Sequence, residues 1–359
     1  TGLAGVVAGA TGLVAGVSAL VAPAATVDFG GPFPFARLIL RLDPLSGLMV
    51  AVICGLTLVA SIYSLAYVRE YSGRGVGAMG FFMLTFVAAM LFVVTCDDAF
   101  WFLVFFEMMS LASYFLVIFD QNEEAVSAGF LYFLVAHAGS VAIMAAFFLM
   151  ANAAGSFEFA DFRAHRPSEL VASIAFVLAL VGFGAKAGMI PLHIWLPRAH
   201  PAAPSHASAL MSGVMIKIGI FGIVKVGIDL LGGTVAWWGL VVLALGAISS
   251  VLGVIYALAE HDIKKLLAYH SVENIGIIML GVGTGMIGLS TGRPMVAVLG
   301  LTAGLYHLVN HAVFKGLLFL GAGSVIYRVH TKDMEEMGGL GRTMPWTSLS
   351  FLIGALAIS

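Results

Sequence analysis

Two lysines lie in long apolar stretches on either side of a proline-rich segment. Lys186 ends one apolar run, and Lys217 lies in the middle of the next. A charge inside an apolar helix is costly, and such a residue commonly marks an ion or proton path. The alternative is that each lysine extends its ammonium to the membrane interface. Because apolar turns precede and follow Lys217, and burial favours the uncharged form of a lysine, we interpret Lys217 as a proton carrier.

The segment between these lysines contains three prolines, Pro191, Pro197 and Pro201. Proline removes a backbone donor and clashes with the preceding helical turn. In lipid, every backbone group freed in this way needs a partner inside the protein. We therefore predict a broken helix, non-helical or split at membrane depth over Pro191–Pro204. Three histidines of this region are expected to be partly solvated: His193, His200 and His206.

A single carboxylate, Glu107, lies in the middle of the apolar run AFWFLVFFEMMSLASYFLV. A carboxylate at that depth must either take up a proton or find a cation. Lys186 is the candidate cation, so we predict that Glu107 and Lys186 approach each other directly or through one water. The alternative is a neutral, hydrogen-bonded Glu107 that only holds helices together.

His307, His311 and Lys315 follow one another at intervals of four residues in the run GLYHLVNHAVFKGLLFL. This spacing places all three on one face of a helix. Histidine titrates near neutral pH and can relay protons, so the stripe is typical of a wet interior path. Two histidines four residues apart could also bind zinc, but no HExxH glutamate accompanies them, and we predict no metal site.

Other ionisable residues in or near the apolar runs are weaker candidates. His137 lies alone in its run and fits either a core histidine or a position on the path. His270 and Glu273 are three residues apart near the end of a run, where they could pair or line an entrance. Lys225 lies near the end of its helix and is expected to extend to the interface.

The composition indicates a membrane protein. The chain is 61% hydrophobic and 10% charged, with a mean hydropathy of +1.05, whereas soluble domains are about 25% charged. A net charge of −2 gives no indication of nucleic-acid binding. The sequence has no CxxC, no GxGxxG between a strand and a helix, and no Walker loop. We therefore expect no cofactor or redox centre in this chain.

The apolar runs predict an all-α, polytopic membrane bundle of about eleven spans, because a span needs about 20 residues. The chain begins and stops inside apolar runs, so we expect a fragment truncated at both ends. The predicted spans are Gly2–Ala22, Pro44–Val68, Gly77–Cys96, Ala99–Phe119, Ala125–Ala151, Leu170–Met189, Ala207–Leu231, Trp237–Leu258, Ile263–Met286, Met295–Tyr327 and the truncated Trp346–Ser359.

The basic residues of the loops suggest an orientation, because loops with more lysine and arginine are usually cytoplasmic. Successive loops alternate between two sides of the membrane. The richer side holds Arg69, Arg74, Arg198, Lys264, Lys265, Arg328, Lys332 and Arg342. The poorer side holds Arg37, Arg41, Arg163, Arg166 and Arg293. We therefore predict an inner-membrane protein with the Arg69, Lys264, Lys265 and Arg328 loops in the cytoplasm.

Several long motifs resemble one family of membrane proteins. They are KAGMIPLHIWLPRAHPAAPSHASALMSGVMIKIGIFG, FFEMMSLASYFLV, AEHDIKKLLAYHSVENIGII and HLVNHAVFKGLLFLGAGSVI. They are similar to the antiporter-like membrane subunits of the complex I superfamily. Together with DMEEMGGLGRTMPW they most resemble the large antiporter-like subunits of hydrogenase-4 and formate hydrogenlyase, which are membrane-bound NiFe hydrogenases. The resemblance covers nearly the whole chain.

The resemblance implies about fourteen helices, in two inverted five-helix repeats that each contain a broken helix. On that basis residues 1–76 are N-terminal transmembrane helices, residues 77–231 the first repeat and residues 232–359 part of the second. The family's first helix is expected to precede the chain, and its final ionisable residue is expected to follow Ser359.

The resemblance also implies a function. The chain would translocate protons, while partner subunits of a peripheral hydrogenase or electron-transfer arm carry the NiFe and iron–sulfur centres. Glu107 and Lys186 match the family's switchable ion pair, and Lys217 matches its central proton carrier. The stripe of His307, His311 and Lys315 matches the lateral relay between the repeats.

Three alternatives remain open from the sequence. The chain could be a subunit of a multi-subunit sodium/proton antiporter, or a subunit of NADH–quinone oxidoreductase. It could also be a structural bundle whose charges only pack. The sequence alone does not decide between proton and sodium.

Overall fold

A computed structural model describes residues 2–33 and 35–358. Within that part of the chain, ten helical segments are long and apolar enough to cross a membrane. The helices are α1 (Gly2–Ala19), α2 (Pro44–Tyr67), α3 (Val76–Thr95), α4 (Ala99–Val117), α5 (Glu123–Ala154), α6 (Phe159–Ala164), α7 (Glu169–Ala187), α8 (Leu196–Ala202), α9 (Ser205–Leu210), α10 (Ile216–Val224), α11 (Ala236–Leu258), α12 (Ile263–Ser290), α13 (Pro294–Val329), α14 (Leu340–Thr343) and α15 (Pro345–Ile358).

The predicted all-α membrane bundle is confirmed. Each predicted apolar run has a helix whose ends differ by at most a few residues from the prediction. The last run forms an apolar helix of 14 residues, α15, which is shorter than a full span. Its predicted end, Ser359, lies outside the described residues. Short 3₁₀ turns cover Val68–Tyr71 and Met334–Glu336.

One part of the chain departs from the helical prediction. Between α1 and α2, the strands β1 (Ala25–Asp28) and β2 (Ile39–Leu42) form an antiparallel hairpin in which Ala25 pairs with Leu42. The segment that joins the strands is rich in glycine and proline, which disfavour helix. Each strand is only four residues long, and its residues do not alternate between buried and exposed. No period-two pattern therefore marked the strands in the sequence.

Polar side chains mark where the long helices begin. Each of the following residues accepts a hydrogen bond from a backbone N–H in the first turn: Asp43, Asp98, Asn122 and Asp262. These N-caps satisfy donors that have no partner within the helix. At the other end, α5 stops at Gly155 and α7 at Gly188, both with positive φ angles, as is common at helix C-termini.

The segment Ser205–Leu230 forms the centre of the bundle, and its apolar window is completely buried. It consists of α9, a π-helical turn over Met211–Met215, α10 and a second π-helical segment over Lys225–Leu230. It packs closely on α7, because a Cβ at Gly219 would lie 2.4 Å from the Phe183 carbonyl oxygen. Small residues at such contacts allow two helix backbones to approach each other in a membrane.

The predicted break is present between α7 and the central span. After Gly188 the chain turns through residues 189–195, forms the short α8, and turns again at Ala203 and Pro204. Pro197 and Pro201 lie within α8, the short helix inside the break, so the segment is split rather than wholly non-helical. Pro197 is tolerated because it is the second residue of α8, where the backbone N–H has no partner in the helix.

Side chains from several helices satisfy the backbone groups that the break exposes. The Trp195 indole donates to the Ala185 carbonyl at 2.8 Å. The Ser249 hydroxyl accepts from the Ile190 N–H at 3.0 Å. The Ser208 hydroxyl lies 2.7 Å from the His200 carbonyl, to which it donates. Irregular backbone at membrane depth is tolerated because the surrounding protein supplies these partners.

Candidate proton path

Lys186 lies at the end of α7 and is 2% exposed. Its ammonium donates hydrogen bonds to the Ser110 hydroxyl at 2.7 Å and to the Tyr132 hydroxyl at 2.9 Å. It also lies 5.2 Å from the ring centres of Phe106 and Tyr132. These contacts come from α4 and α5, and they hold the ammonium with neutral hydroxyls and aromatic faces.

Lys217 lies near the start of α10 and is fully buried. Its ammonium donates to the Ser212 carbonyl at 2.6 Å, within the π-helical turn Met211–Met215. Such π-helical turns are frequent at functional sites. The Ser212 hydroxyl in turn lies 2.7 Å from the Ser271 hydroxyl on α12.

The polar contacts continue from Ser271 to Lys315. The Ser271 hydroxyl donates to the Leu267 carbonyl at 3.0 Å, and the Lys315 ammonium donates to the same carbonyl at 2.9 Å. Lys315 lies on α13 and is fully buried. Lys217 and Lys315 therefore contact one polar region, formed by the Ser212 and Ser271 hydroxyls and the backbone carbonyls of Ser212 and Leu267, although they lie on different helices.

The polar stripe of α13 faces α12. His307 Nε2–H donates to the Asn274 amide oxygen at 2.8 Å, and the Asn274 amide nitrogen donates to the His270 carbonyl at 2.7 Å. The His270 ring lies 2.5 Å from the Glu273 carboxylate. The rings of His307 and His311 are parallel and 6.4 Å apart.

His311 is fully buried, and neither ring nitrogen has a hydrogen-bond partner among the described residues. An unpartnered polar group in a dry interior is costly, so sites of this kind usually contain water or serve a function. The three stripe residues thus lie on one face, as the spacing predicts, and that face packs against polar groups of α12.

The predicted contact between Glu107 and Lys186 is not formed. The Glu107 carboxylate lies 3.2 Å from His137 Nε2, and the two side chains are 37% and 42% exposed on the outside of the bundle. Ser110, one helical turn after Glu107 on α4, faces Lys186 instead. Residues three apart are offset by about 60° around the helix axis, and a uniformly apolar sequence does not indicate which of the two positions faces the neighbouring helices.

Most of the chain matches the model of a known protein family. Residues 96–359 match the family model described as NADH:quinone oxidoreductase/Mrp antiporter, TM. The chain belongs to this antiporter family. The match includes every residue of the path described above, from Glu107 to Lys315.

Curated relatives and a solved structure agree with the membership. The chain is 62% identical to hydrogenase-4 component B of Escherichia coli K12 over 92% of the chain and 50% of the relative. It is 37% identical to formate hydrogenlyase subunit 3 of the same organism, over 93% and 53%. The chain thus spans about half the length of these members of the antiporter family.

The solved structure is respiratory complex I from Thermus thermophilus with bound NADH. One of its chains superposes with a TM-score of 0.84 at 27% identity, over all of this chain and 74% of that chain. The fold expected from the sequence motifs is therefore the fold of the antiporter family, and hydrogenase subunits are among this chain's relatives.

The sequence did not predict a charged cluster that lies at the C-terminal end of the central span, near Leu230. Arg163 on α6 donates to the Asp97 carboxylate at 2.7 Å and to the Asp229 carboxylate at 3.0 Å. Lys225 pairs with Asp229 at 3.0 Å and with Asp43 at 3.3 Å. We call these five residues the charged cluster.

The charged cluster corrects the prediction for Lys225. This lysine is 4% exposed and paired with two carboxylates, so it does not extend to the interface. The spacing of Lys225 and Asp229 by four residues is typical of a helical ion pair and could have indicated part of the cluster. Asp43 lies 182 residues away from Lys225 in the sequence, and no local pattern connects them.

Two groups of the charged cluster lie outside the membrane-spanning segments. Burial raises the pKa of Asp43, but the Lys225 ammonium and the hydrogen bonds of the helix cap outweigh it and lower the pKa. Burial lowers the pKa of Arg163, but the two aspartates raise it further above its usual value. Both groups therefore keep their charges.

Two further predictions are wrong. His200 and His206 are 0% and 2% exposed rather than partly solvated, because α8 and α9, which carry them, both lie inside the bundle. Lys264 is 4% exposed, and its ammonium donates to the Ala203 carbonyl at 2.8 Å. It lies in the first turn of α12 and satisfies backbone of the broken segment, so it is not a free loop charge. The Lys332 ammonium similarly reaches the Pro201 carbonyl at 3.2 Å.

Proposed function

We propose that this chain is a proton-translocating membrane subunit of a membrane-bound NiFe hydrogenase of the hydrogenase-4 or formate hydrogenlyase type. The 62% identity to hydrogenase-4 component B supports the type of complex. In this proposal, partner subunits carry the NiFe and iron–sulfur centres and perform the redox chemistry. The present chain moves protons through buried side chains.

The partners of the buried lysines carry the proposal. Lys186, Lys217 and Lys315 donate to hydroxyl and carbonyl oxygens rather than to carboxylates. A buried ammonium held only by neutral groups can release its proton more readily than one held in an ion pair. Lysine can be neutral in a protein interior, whereas arginine stays charged, so lysine suits a carrier.

In this proposal, protons move between Lys217 and Lys315 in the polar region around Ser212 and Ser271. The carbonyls of Ser212 and Leu267 hold the two ammonium groups but cannot pass a proton on, so the transfer requires water or a movement of the side chains. The histidines of α13 then continue the relay towards the side chains of α12: His307, His311, His270 and Glu273. Histidine is suited to this step because its two ring nitrogens can accept a proton on one side and donate on the other.

We retain Glu107 as a switchable group with two partners. The carboxylate pairs with His137 in this structure, and Ser110, which binds Lys186, lies one turn further along α4. In the proposed switch, the Glu107 carboxylate leaves His137 and approaches Lys186. A charged lysine is stabilised by that approach, and a neutral one is not.

We also propose the organisation and orientation of the subunit. Residues 1–76 are N-terminal helices, residues 77–231 form the first repeat, and residues 232–359 belong to the second. The subunit lies in the inner membrane, with the 3₁₀ turn that holds Arg69, the start of α12 with Lys264 and Lys265, and the end of α13 with Arg328 on the cytoplasmic side. Its partners are other membrane subunits and a peripheral hydrogenase arm.

Proton uptake by sealed membrane vesicles that contain the full-length protein in its native complex tests this function. We expect Lys217→Ala and Lys217→Arg both to stop uptake, because alanine cannot carry a proton and arginine does not release one. Hydrogenase activity and assembly of the complex are followed in parallel. Lys265→Ala is the matched control, since it removes a lysine near the membrane surface that has no place on the path.

Uptake at the wild-type rate by Lys217→Ala would show that the lysine is structural. Sodium-dependent proton movement without hydrogen turnover would instead favour a sodium/proton antiporter. Purification of the native complex without a NiFe subunit would exclude the hydrogenase assignment while leaving the path itself open to the uptake test.

A further inference from the structure

An apolar groove runs along the outside of the bundle between α1, α2 and α13. It has a volume of about 540 Å³. Its floor consists of small residues of α2 and α13, namely Ala51, Gly55, Ala312 and Gly316. Its walls are leucines and valines of the three helices, including Leu13, Val59, Val313 and Leu317. Every lining side chain is apolar, so the groove suits hydrocarbon.

A second pocket of different chemistry lies beyond one end of the groove. This pocket, of about 500 Å³, is lined mainly by two of the groove's three helices, α2 and α13. The step from one to the other is about one helical turn on each helix, from Val59 to Tyr63 and from Leu320 to Ser324. We call this second pocket the basic pocket, because its lining includes Tyr63, Arg69, Ser324, Tyr327 and Arg328.

Both arginines of the basic pocket are available to a ligand. Arg69 and Arg328 are exposed. Among the described residues, neither side chain donates a hydrogen bond or forms an ion pair. Glu70 follows Arg69 in the chain but does not line the pocket. Two unpaired guanidinium groups at one end of an apolar groove leave a concentrated positive charge there.

The dimensions match one leaflet of a bilayer. Val59 lies ten residues before Arg69 on the helical course of α2, which corresponds to about 15 Å. That is half of a hydrocarbon thickness of about 30 Å. An acyl chain that begins at the headgroup level of Arg69 therefore reaches Val59, where the groove begins. Tyr63 and Tyr327 line the basic pocket, and tyrosine is commonly found at membrane interfaces.

We propose that the groove and the basic pocket together form a binding site for an anionic phospholipid of the bilayer. The phosphate group binds Arg69 and Arg328, and one acyl chain enters the groove past Val59 and Leu320, with its end directed towards Gly55 and Gly316. Arginine presents a planar set of donors that matches phosphate oxygens. Basic pockets between membrane helices bind acidic lipid headgroups by this chemistry. The charge of the pocket favours a lipid over an apolar partner helix, which would leave both arginines unpaired.

Lipid competition with the purified protein complex tests the site. The complex is placed in nanodiscs of phosphatidylcholine, and spin-labelled phosphatidylglycerol or spin-labelled phosphatidylcholine is added at equal amounts. We expect the wild type to retain the anionic lipid preferentially. Arg69→Gln and Arg328→Gln should each reduce that preference about fivefold, as the loss of one basic residue near a lipid headgroup predicts.

Two arginines on the same side of the membrane provide the matched control. Arg74 and Arg342 are exposed and do not line the basic pocket. The double variant Arg74→Gln, Arg342→Gln removes the same charge as the double variant of the pocket, and it should keep the wild-type preference. If both double variants lose the preference for anionic lipid equally, net charge explains the effect and the proposed binding site is wrong.

The groove is tested separately by filling it. A Cβ at Gly55 would meet only Leu13, at 3.6 Å, so the position has room. Gly55→Leu should lower retention of the long-chain anionic lipid, and leucine is also a better helix former than glycine. Unchanged retention would contradict the placement of the acyl chain.

Two further outcomes would overturn the proposal. Displacement of the spin-labelled lipid by inorganic phosphate at the same concentration would identify a free-anion site. The second outcome is a crosslink, other than a disulfide, between the Val59→Cys thiol and a helix of a partner subunit. A high yield of this crosslink in the native complex would show that protein fills the groove. If added phosphatidylglycerol alone protects the Val59→Cys thiol from crosslinking, the result would support a lipid in the groove.

Discussion

Lys217 and Lys225 lie about two turns apart on the same buried span, and their surroundings differ in kind. Lys217 is held by the Ser212 carbonyl, a neutral group. Lys225 is held by the carboxylates of Asp43 and Asp229. Burial alone therefore does not indicate what a membrane lysine does. The partner group decides whether the charge is fixed, as in an ion pair, or free to leave as a proton.

The same contrast separates the whole path from the charged cluster. The lysines of the path contact hydroxyls and carbonyls on neighbouring helices. The charged cluster joins the start of α2, the turn before α4, α6 and the end of the central span through ion pairs. We interpret the cluster as a structural tie and the path as the transport device.

The largest expected effect comes from exchanging each lysine for methionine. Lys225→Met leaves the carboxylates of Asp43 and Asp229 without their cation, and we expect the free energy of unfolding to fall by about 2–3 kcal/mol. This is less than for a fully buried pair, because Asp229 is one-third exposed and solvent screens it. Lys217→Met removes a charge with no carboxylate partner and should leave stability equal or higher.

Thermal unfolding of the purified protein in detergent measures both changes. Proton uptake by the assembled complex is the second measurement. Lys217→Met should abolish uptake, and Lys225→Met should retain it in the fraction of complex that assembles. Equal loss of stability in both variants would remove the distinction between path and cluster.

Asp98, next to the charged cluster, provides a pH test. Burial raises the pKa of the Asp98 carboxyl to about 6 from 3.8, against hydrogen bonds from Trp101, Phe100 and Arg37 that lower it. The folded state thus holds this proton more tightly than the unfolded state. Its contribution to stability is complete below pH 4 and is lost as the pH rises through about 6.

The variant Asp98→Asn should therefore be more stable than the wild type well above pH 6, by about 3 kcal/mol, and nearly equal to it at pH 4. Asparagine keeps an oxygen that can cap α4. Melting temperatures between pH 4 and pH 8 measure the difference, and a difference that does not change with pH would show that Asp98 ionises freely in the folded protein.

A smaller effect is expected from the hydroxyls that join the path lysines. Ser271→Ala removes the link between the Ser212 hydroxyl and the Leu267 carbonyl. We expect proton uptake to fall by up to about tenfold, because one hydrogen bond contributes about 0.5–1.5 kcal/mol and about 1.4 kcal/mol corresponds to a factor of ten in rate. Ser250→Ala on α11 is the control, because that hydroxyl only bonds the Ala247 carbonyl of its own helix. Equal rates for the two variants would exclude Ser271 from the path.

The smallest effect on stability is expected at Glu107. Its pair with His137 is more than one-third exposed, and exposed pairs contribute less than about 1 kcal/mol. Glu107→Gln should therefore leave the melting temperature nearly unchanged while it lowers proton uptake. If uptake is also unchanged, Glu107 belongs with neither the path nor the cluster, and its pair with His137 is only a surface contact.

The sequence determined the spans and the place of the break. In lipid, the backbone N–H and C=O groups of a run of about 20 apolar residues find partners within a helix. The ends of each span therefore follow from the composition of the run. The prolines after Lys186 required a break, although the exact turns, at Gly188 and Ala203, were set by how α8 packs. The interval of four residues from His307 to Lys315 fixed a common face by helical geometry.

Tertiary structure alone decided what each charged side chain meets. A helix that is apolar all round gives no signal of which face points inward, so the sequence of α4 could not show that Ser110 rather than Glu107 faces Lys186. Contacts between distant segments, such as Lys225 with Asp43, depend on how the helices assemble. The hydroxyl partners of the path and the basic end of the groove became visible only when the helices were packed together, because neighbouring helices supply them.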